Sequence, residues 1–170
     1  MDIIGLHDRA VDGTARLVDG VGPEQMGLPT PCPDWDVRAL LTHLVAGSCH
    51  ADLLGDDPAA AYRRSAAALH AAWQDPALLD RQFEIPIGIL PGRAAFNVRL
   101  VETVIHGWDL AKATGQHPAF DPEVVRTAAQ FAQSGLSGDR PPGAPFAPPV
   151  AVADELPEID RLAAFLGRTP

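Results

Sequence analysis

Cysteine is scarce: Cys32 and Cys49 are the only two in 170 residues. They cannot build a disulfide framework and do not form a Cys-x-x-Cys pair, so both read as free thiols or small buried hydrophobes. Lysine is scarcer still, with Lys112 alone among 13 basic residues. Together with the abundance of Ala, Gly and Pro, this arginine bias reflects a GC-rich coding sequence. No run of 18 apolar residues is present to span a bilayer. Asp2, Gly5, His7 and Asp8 interrupt the N-terminal apolar residues, where a signal peptide needs a basic and then an apolar stretch. A cytoplasmic protein is expected. Positive charge is also in deficit: 13 basic against 22 acidic residues leave a net charge of −9, which repels phosphate backbones and anionic lipid surfaces. Nucleic acid and membrane are therefore not expected partners.

What is present is a globular composition, with 46% apolar and 21% charged residues. The length suits one domain of about 100–200 residues, large enough to bury roughly 70% of its unfolded surface, so residues 1–170 are expected to form a single domain. Proline inside a helix removes a hydrogen bond and clashes with the preceding turn, which confines helices to residues 1–22, 34–57, 59–75, 92–117 and 123–140. Val37, Leu40, Leu41, Leu44 and Val45 form one apolar stripe at helical spacing, predicting a helix over 36–53 with Asp34 or Asp36 as its N-cap. Val98, Val101, Val104, Ile105 and Trp108 predict another over 94–113, stopped by Gly115. The intervals holding Leu6, Ala10 and Leu17, and Ala66, Leu69 and Trp73, suit helices of three to four turns. Phe83, Ile85, Ile87 and Ile89 alternate, so residues 82–89 read as a short half-buried extended element, which Pro86 places at an edge. The proline-rich stretch 141–156 reads as an extended tail, followed by a short helix over 157–167. The expected fold is all-α: an up-and-down, antiparallel four-helix bundle, whose site is built from side chains of facing helices.

Glu102 and His106 stand four residues apart and project from one face about one turn apart, so that a carboxylate and an imidazole can reach one metal ion. With Asp109 they fall at the margin of the apolar stripe, where an unpaired carboxylate needs either a cationic partner or a metal. Arg99, three residues before Glu102, is the cation available. On the other long helix, His43 and His50 share a flank with Ala39, Leu40 and Gly47, but seven residues separate them by about 10 Å along the axis, so at most one serves the same ion. Asp109 is either an acceptor that steadies a ligand histidine or an ion-pair partner of Lys112. Trp35 and Trp108 are expected to pack the bundle ends, with Trp108 also a candidate substrate wall. No catalytic role is assigned to Cys32.

TPCPDWDVRALLTHLV at 30–45, VETVIHGWDLAKATG at 101–115 and FAPPV at 146–150 resemble signature segments of the actinobacterial DinB/YfiT-like metal-binding proteins. The resemblance is to short stand-alone relatives of the N-terminal domain of mycothiol-dependent maleylpyruvate isomerase. It implies a DinB/YfiT-like four-helix bundle holding a divalent metal through His43, Glu102 and His106, and it favours His43 over His50. Two imidazoles and a carboxylate suit zinc with a fourth position open to water or a thiol, with nickel the second candidate.

The isomerase carries a further C-terminal domain that contributes to its active site, so maleylpyruvate isomerisation is not the expected chemistry of these 170 residues. The expected function is a metal-dependent thiol transferase that uses mycothiol or a similar thiol as cosubstrate and acts on a small electrophile. A homodimer is an open alternative to a monomer. The competing reading is a non-catalytic bundle that binds a metal or small ligand through the same residues.

Overall fold

The helix Gly92–Thr114 is the pivot of the molecule: from Thr103 to Ala111 every residue is buried. A helix enclosed on all sides needs apolar or paired residues around its whole circumference. Leu100, Val104, Ile105, Trp108 and Leu110 supply the apolar ones. The one-sided stripe expected for this helix is thus corrected to an enclosed one, and His106 and Asp109 lie inside the protein rather than at its margin.

The computed structural model describes residues 2–46, 54–85, 88–136, 140 and 144–170; His50, Cys49, Pro86 and Ile87 lie outside them. In chain order the elements are α1 (Ile3–Asp19), α2 (Val37–Ala46), α3 (Pro58–Trp73), β1 (Gln82–Ile85), β2 (Gly88–Pro91), α4 (Gly92–Thr114), α5 (Pro122–Gly135) and α6 (Glu158–Phe165). Capping follows the sequence. Asp2, Asp57 and Asp121 accept from backbone amides at the starts of α1, α3 and α5, while Asp36 Oδ1 accepts from Ala39 N at 2.8 Å and so is the cap of α2. Gly115, at φ 72°, ends α4 in the left-handed conformation that only glycine adopts freely.

Helices α1 to α4 form the bundle, with α5 and α6 packed on the outer side of α4. Contacts between α1 and α4 ascend together: the His7 ring lies 5.0 Å from Phe96, and Thr14 Oγ1 donates to Thr103 O at 3.0 Å. Further on, Gln116 Nε2 donates to Leu17 O. These two helices therefore run parallel. Contacts between α1 and α3 descend, from Asp8 with His70 to Asp19 with Arg63, so these run antiparallel. Helix α2 runs with α3, since Arg38 shares a cleft with Pro58 and Ala59 while Ser65 Oγ donates to Val45 O. The all-α four-helix bundle holds, with antiparallel pairing of α1 with α3 and of α2 with α4. The order along the chain is up-down-down-up rather than strict alternation.

The extended element expected at 82–89 is instead a hairpin, with β1 pairing antiparallel to β2 from Gln82 opposite Pro91 to Ile85 opposite Gly88. Its alternation was misleading at one position: Ile89 is 68% exposed, while Phe83 packs on Trp73. From residue 144 to 156 the proline-rich stretch holds neither helix nor strand, but it is not extended throughout: it bends at Pro145 and Phe146, and Leu156 N donates to Ala153 O in a turn. There α6 folds back, with Val150 N donating to Ala164 O. Among the described residues, no helix is long and apolar enough to cross a membrane.

Candidate metal centre

The segment leading into α2 sets one wall of the site. Thr30 Oγ1 donates to Trp35 O at 2.9 Å, Trp35 N donates to Cys32 O, and Asp34 takes the left-handed backbone at φ 67°. This turn brings the Trp35 indole to 4.7 Å from the His43 ring and 5.6 Å from the His106 ring, measured between centroids. The two histidines meet edge to face, 4.8 Å apart. Trp35 thus packs the histidine pair rather than a bundle end. Trp108 is fully buried in α4, with Nε1 donating to Asp160 Oδ1 at 2.7 Å and the Lys112 ammonium 5.0 Å from its ring centroid, so it is a core residue and not a substrate wall.

His106 is held from behind. Its Nδ1 lies 3.0 Å from Asp109 Oδ2. Asp109 in turn receives Arg168 Nε at Oδ1 (3.2 Å) and Arg168 Nη2 at Oδ2 (2.9 Å). Burial would raise the Asp109 pKa, but the hydrogen bonds and charges of His106 and Arg168 outweigh it and hold the carboxyl below its usual value. An ionised carboxylate only accepts, so the His106 proton sits on Nδ1, leaving Nε2 with its lone pair free. Of the two roles expected for Asp109, the one steadying His106 is realised. Lys112 pairs instead with Asp160, at 3.7 Å.

His43 has no such support: its Nε2 is buried without a hydrogen-bond partner. Burial, then the neighbouring His106 and Arg99, lower its pKa to about 4, so the imidazole is neutral at pH 7, the form that ligates a metal. Glu102, one turn before His106 on α4, is partly buried and has Arg99 Nη1 3.8 Å from its Oε2. That pairing is loose, because Arg99 Nη2 donates to Leu44 O at 2.8 Å. Glu102 and His43 both line a cleft of about 570 Å³ between α2, α3, α4 and the hairpin. The structure thus brings the His43 and His106 rings together, while Glu102 shares the cleft with His43 and is not among the described residues whose ligand atoms gather with those of His106 within 4.8 Å.

A second arrangement, not anticipated from the sequence, shares His106. Ligand atoms of Cys32, His106 and Asp109 all fall within 4.8 Å of one another. Asp109 is committed to Arg168, and the Cys32 thiol is pushed up to about 11, chiefly by burial, so it stays protonated at pH 7. The only sequence signal for it was the position of Cys32 three residues before Trp35 in the approach to α2.

Residues 7–61 match the family described as the mycothiol maleylpyruvate isomerase N-terminal domain. This stretch includes His43 and stops before α4. Two proteins of Mycobacterium tuberculosis, one from strain CDC 1551 and one from strain H37Rv, are each 38% identical to this chain over 181 residues. The alignments take in 99% of this chain and 99% of each relative, and both relatives bear the name uncharacterized protein. The chain belongs to the mycothiol maleylpyruvate isomerase N-terminal domain family. No solved structure gives a significant match. Within the family match, His43 is the one expected ligand; Glu102 and His106 come to it from α4, outside the matched residues.

Proposed function

We propose that this chain holds a divalent metal, zinc by preference and nickel as second candidate, through His43, Glu102 and His106, and transfers a mycothiol-type thiol to a small electrophile. The observation that carries the reading is the buried, unpartnered His43 Nε2 beside a His106 whose other nitrogen is locked to Asp109. A bound ion would supply positive charge that lowers the pKa of an arriving thiol from about 8.5.

The chain's own residues do the rest. His106, steadied by Asp109 and Arg168, presents Nε2 in a fixed direction. His43 contributes a neutral donor that need not lose a proton at pH 7. With an ion bound, Glu102 would offset one unit of its charge and leave a net positive site that would favour a thiolate over a neutral thiol. Trp35 covers the histidine pair on one side and excludes water there. The thiol gives its proton to solvent, its sulfur bonds to the electrophilic carbon, and the displaced electron pair is protonated or departs with a leaving group. No oxidant or reductant enters. We further propose that the chain acts as one domain in the cytoplasm.

The test is metal content after purification without chelator, followed by conjugation of mycothiol to a model electrophile, with His43→Ala and His106→Ala alongside. Stoichiometric metal and thiol conjugation, both lost in the two variants, support the reading. Stoichiometric metal without conjugation would instead make the chain a metal-binding module.

A further inference from the structure

The cleft that reaches the histidines extends well beyond the groups needed to hold an ion. At one end are His43, Arg99 and Glu102; away from it the wall is formed by Leu69 and Trp73 of α3, Phe83 and Ile85 of β1, and Val98 of α4. Its volume of about 570 Å³ falls within the range of small-molecule sites, roughly 300–1,000 Å³. Two features decide what would fill it. Small side chains, Ala72 on α3 and Ala95 on α4, keep it open between aromatic and branched walls. Among the described residues its only charged lining residues, Arg99 and Glu102, are of opposite sign and face each other at 3.8 Å, so without an ion this lining carries no net charge. The net charge of −9 on the chain opposes an anionic ligand further.

From this we propose that the cleft is the binding site for the electrophile, and that its ligand is a neutral, apolar small molecule. Its hydrophobic body lies against Trp73, Phe83 and Val98, and its polar, reactive end lies at His43 and Glu102. The assignment of that end to chemistry rests on the thiol-transfer reading; the apolar, uncharged selectivity rests on the cleft alone. Hydrophobic burial against these walls supplies the affinity. The hairpin has a function in this arrangement: β1 provides the far wall, and Phe83 is held against Trp73 with ring centroids 5.6 Å apart.

The experiment titrates the full-length, metal-free chain with N-phenyl-1-naphthylamine, a neutral apolar fluorophore, and with 1-anilinonaphthalene-8-sulfonate, its anionic counterpart. Saturable binding of the neutral probe is expected, at least tenfold tighter than the anion. Ala72→Phe, which fills the cleft from its open side, and Val98→Gln, which places an amide on its floor, should each weaken the neutral probe at least tenfold. Both variants should keep the parent's circular dichroism and metal content; two variants on different helices guard against loss of fold in one. No saturable binding, equal binding of the two probes, or undiminished binding by both folded variants would overturn the proposal. Because the probe is read without metal, the two readings fail separately. Probe binding without metal uptake leaves the cleft and removes thiol transfer, and metal and thiol uptake without probe binding does the reverse.

Discussion

Arg168 and Asp109 form a two-pronged ion pair inside the protein, with Arg168 Nε and Nη2 at 3.2 and 2.9 Å from the two carboxylate oxygens and both side chains buried. The pair ties the residues after α6 to the turn of α4 that carries His106, and Arg168 also lies 5.5 Å from the centroid of the Phe146 ring. Removing one partner of such a pair strands a charge away from water. Arg168→Ala is therefore expected to destabilise the fold by about 3–5 kcal/mol. Asp109 is held below the ordinary carboxylate pKa, so its contribution is fully present above about 3.9 and is lost as pH falls through the folded value. Urea titrations at pH 7 should show the loss in the variant, and its acid unfolding should begin at higher pH than in the parent. An unchanged midpoint at pH 7 would contradict the role given to this pair.

The ligand set has its own signature in metal content. His43→Ala and His106→Ala should lose the ion, Glu102→Gln should retain it weakly, and His50→Ala should retain it as the parent does. Asp109→Asn removes the carboxylate charge and replaces one of the two acceptor oxygens that hold His106 and Arg168 with a donor amide, and should cost about 10–100-fold in zinc affinity. Competition with a chromogenic chelator measures each variant. Equal losses in His43→Ala and His50→Ala would contradict the choice of His43 over His50.

His7 makes the fold sensitive to acid. It is 2% exposed with Nε2 unpartnered, and burial, reinforced by the charge of Arg99 against an opposing Asp8, lowers its pKa to about 4. Below pH 6.5 the unfolded chain takes up a proton that the folded one refuses, so stability is full above 6.5 and falls between 6.5 and 4. The loss from this residue is about 2.5 kcal/mol between pH 7 and pH 4.5. His7→Met should flatten the pH dependence of the urea midpoint by that amount. Parallel curves for parent and variant would show that His7 does not titrate as described.

Gly92 joins the hairpin to α4 where no side chain fits, because a β-carbon there would run into the Leu78 carbonyl oxygen, a backbone atom that cannot swing away. Gly92→Ala is expected to destabilise by about 1–3 kcal/mol and to loosen the hairpin first. Hydrogen exchange of the β1 and β2 amides together with thermal melting checks this; parent-like protection of those amides would contradict it.

The parts of the fold that were legible in the sequence are those set by local spacing. The stripes ending in Val45 and Trp108, the cap at Asp36 and the stop at Gly115 depend on residues within a few positions of one another. So does the presentation of Glu102 and His106 from consecutive turns. What was not legible depends on distant partners. Arg168 reaches Asp109 from 59 positions away, and no periodicity connects them. The Thr30 to Trp35 turn carries Cys32 and the indole to the histidines only once α2 and α4 have packed together. The alternation of Phe83 and Ile85 holds within β1, but Ile89 belongs to a second strand paired antiparallel to it and is left in solvent. The parallel run of α1 with α4 likewise follows from which faces pack, a choice that helix spacing does not encode.

The central claim is the identity of the ligands around the ion, and X-ray absorption at the zinc edge of the zinc-loaded protein reads it directly. Before thiol is added, the account predicts two imidazole nitrogens at about 2.0–2.1 Å and oxygen at about 2.0–2.2 Å, with no sulfur in the shell. Adding mycothiol should bring in one sulfur at about 2.3 Å. A sulfur scatterer already present without thiol would place the ion at the Cys32, His106 and Asp109 side of the site, and a shell with fewer than two imidazoles would remove His43 from the ligand set; either result contradicts the account.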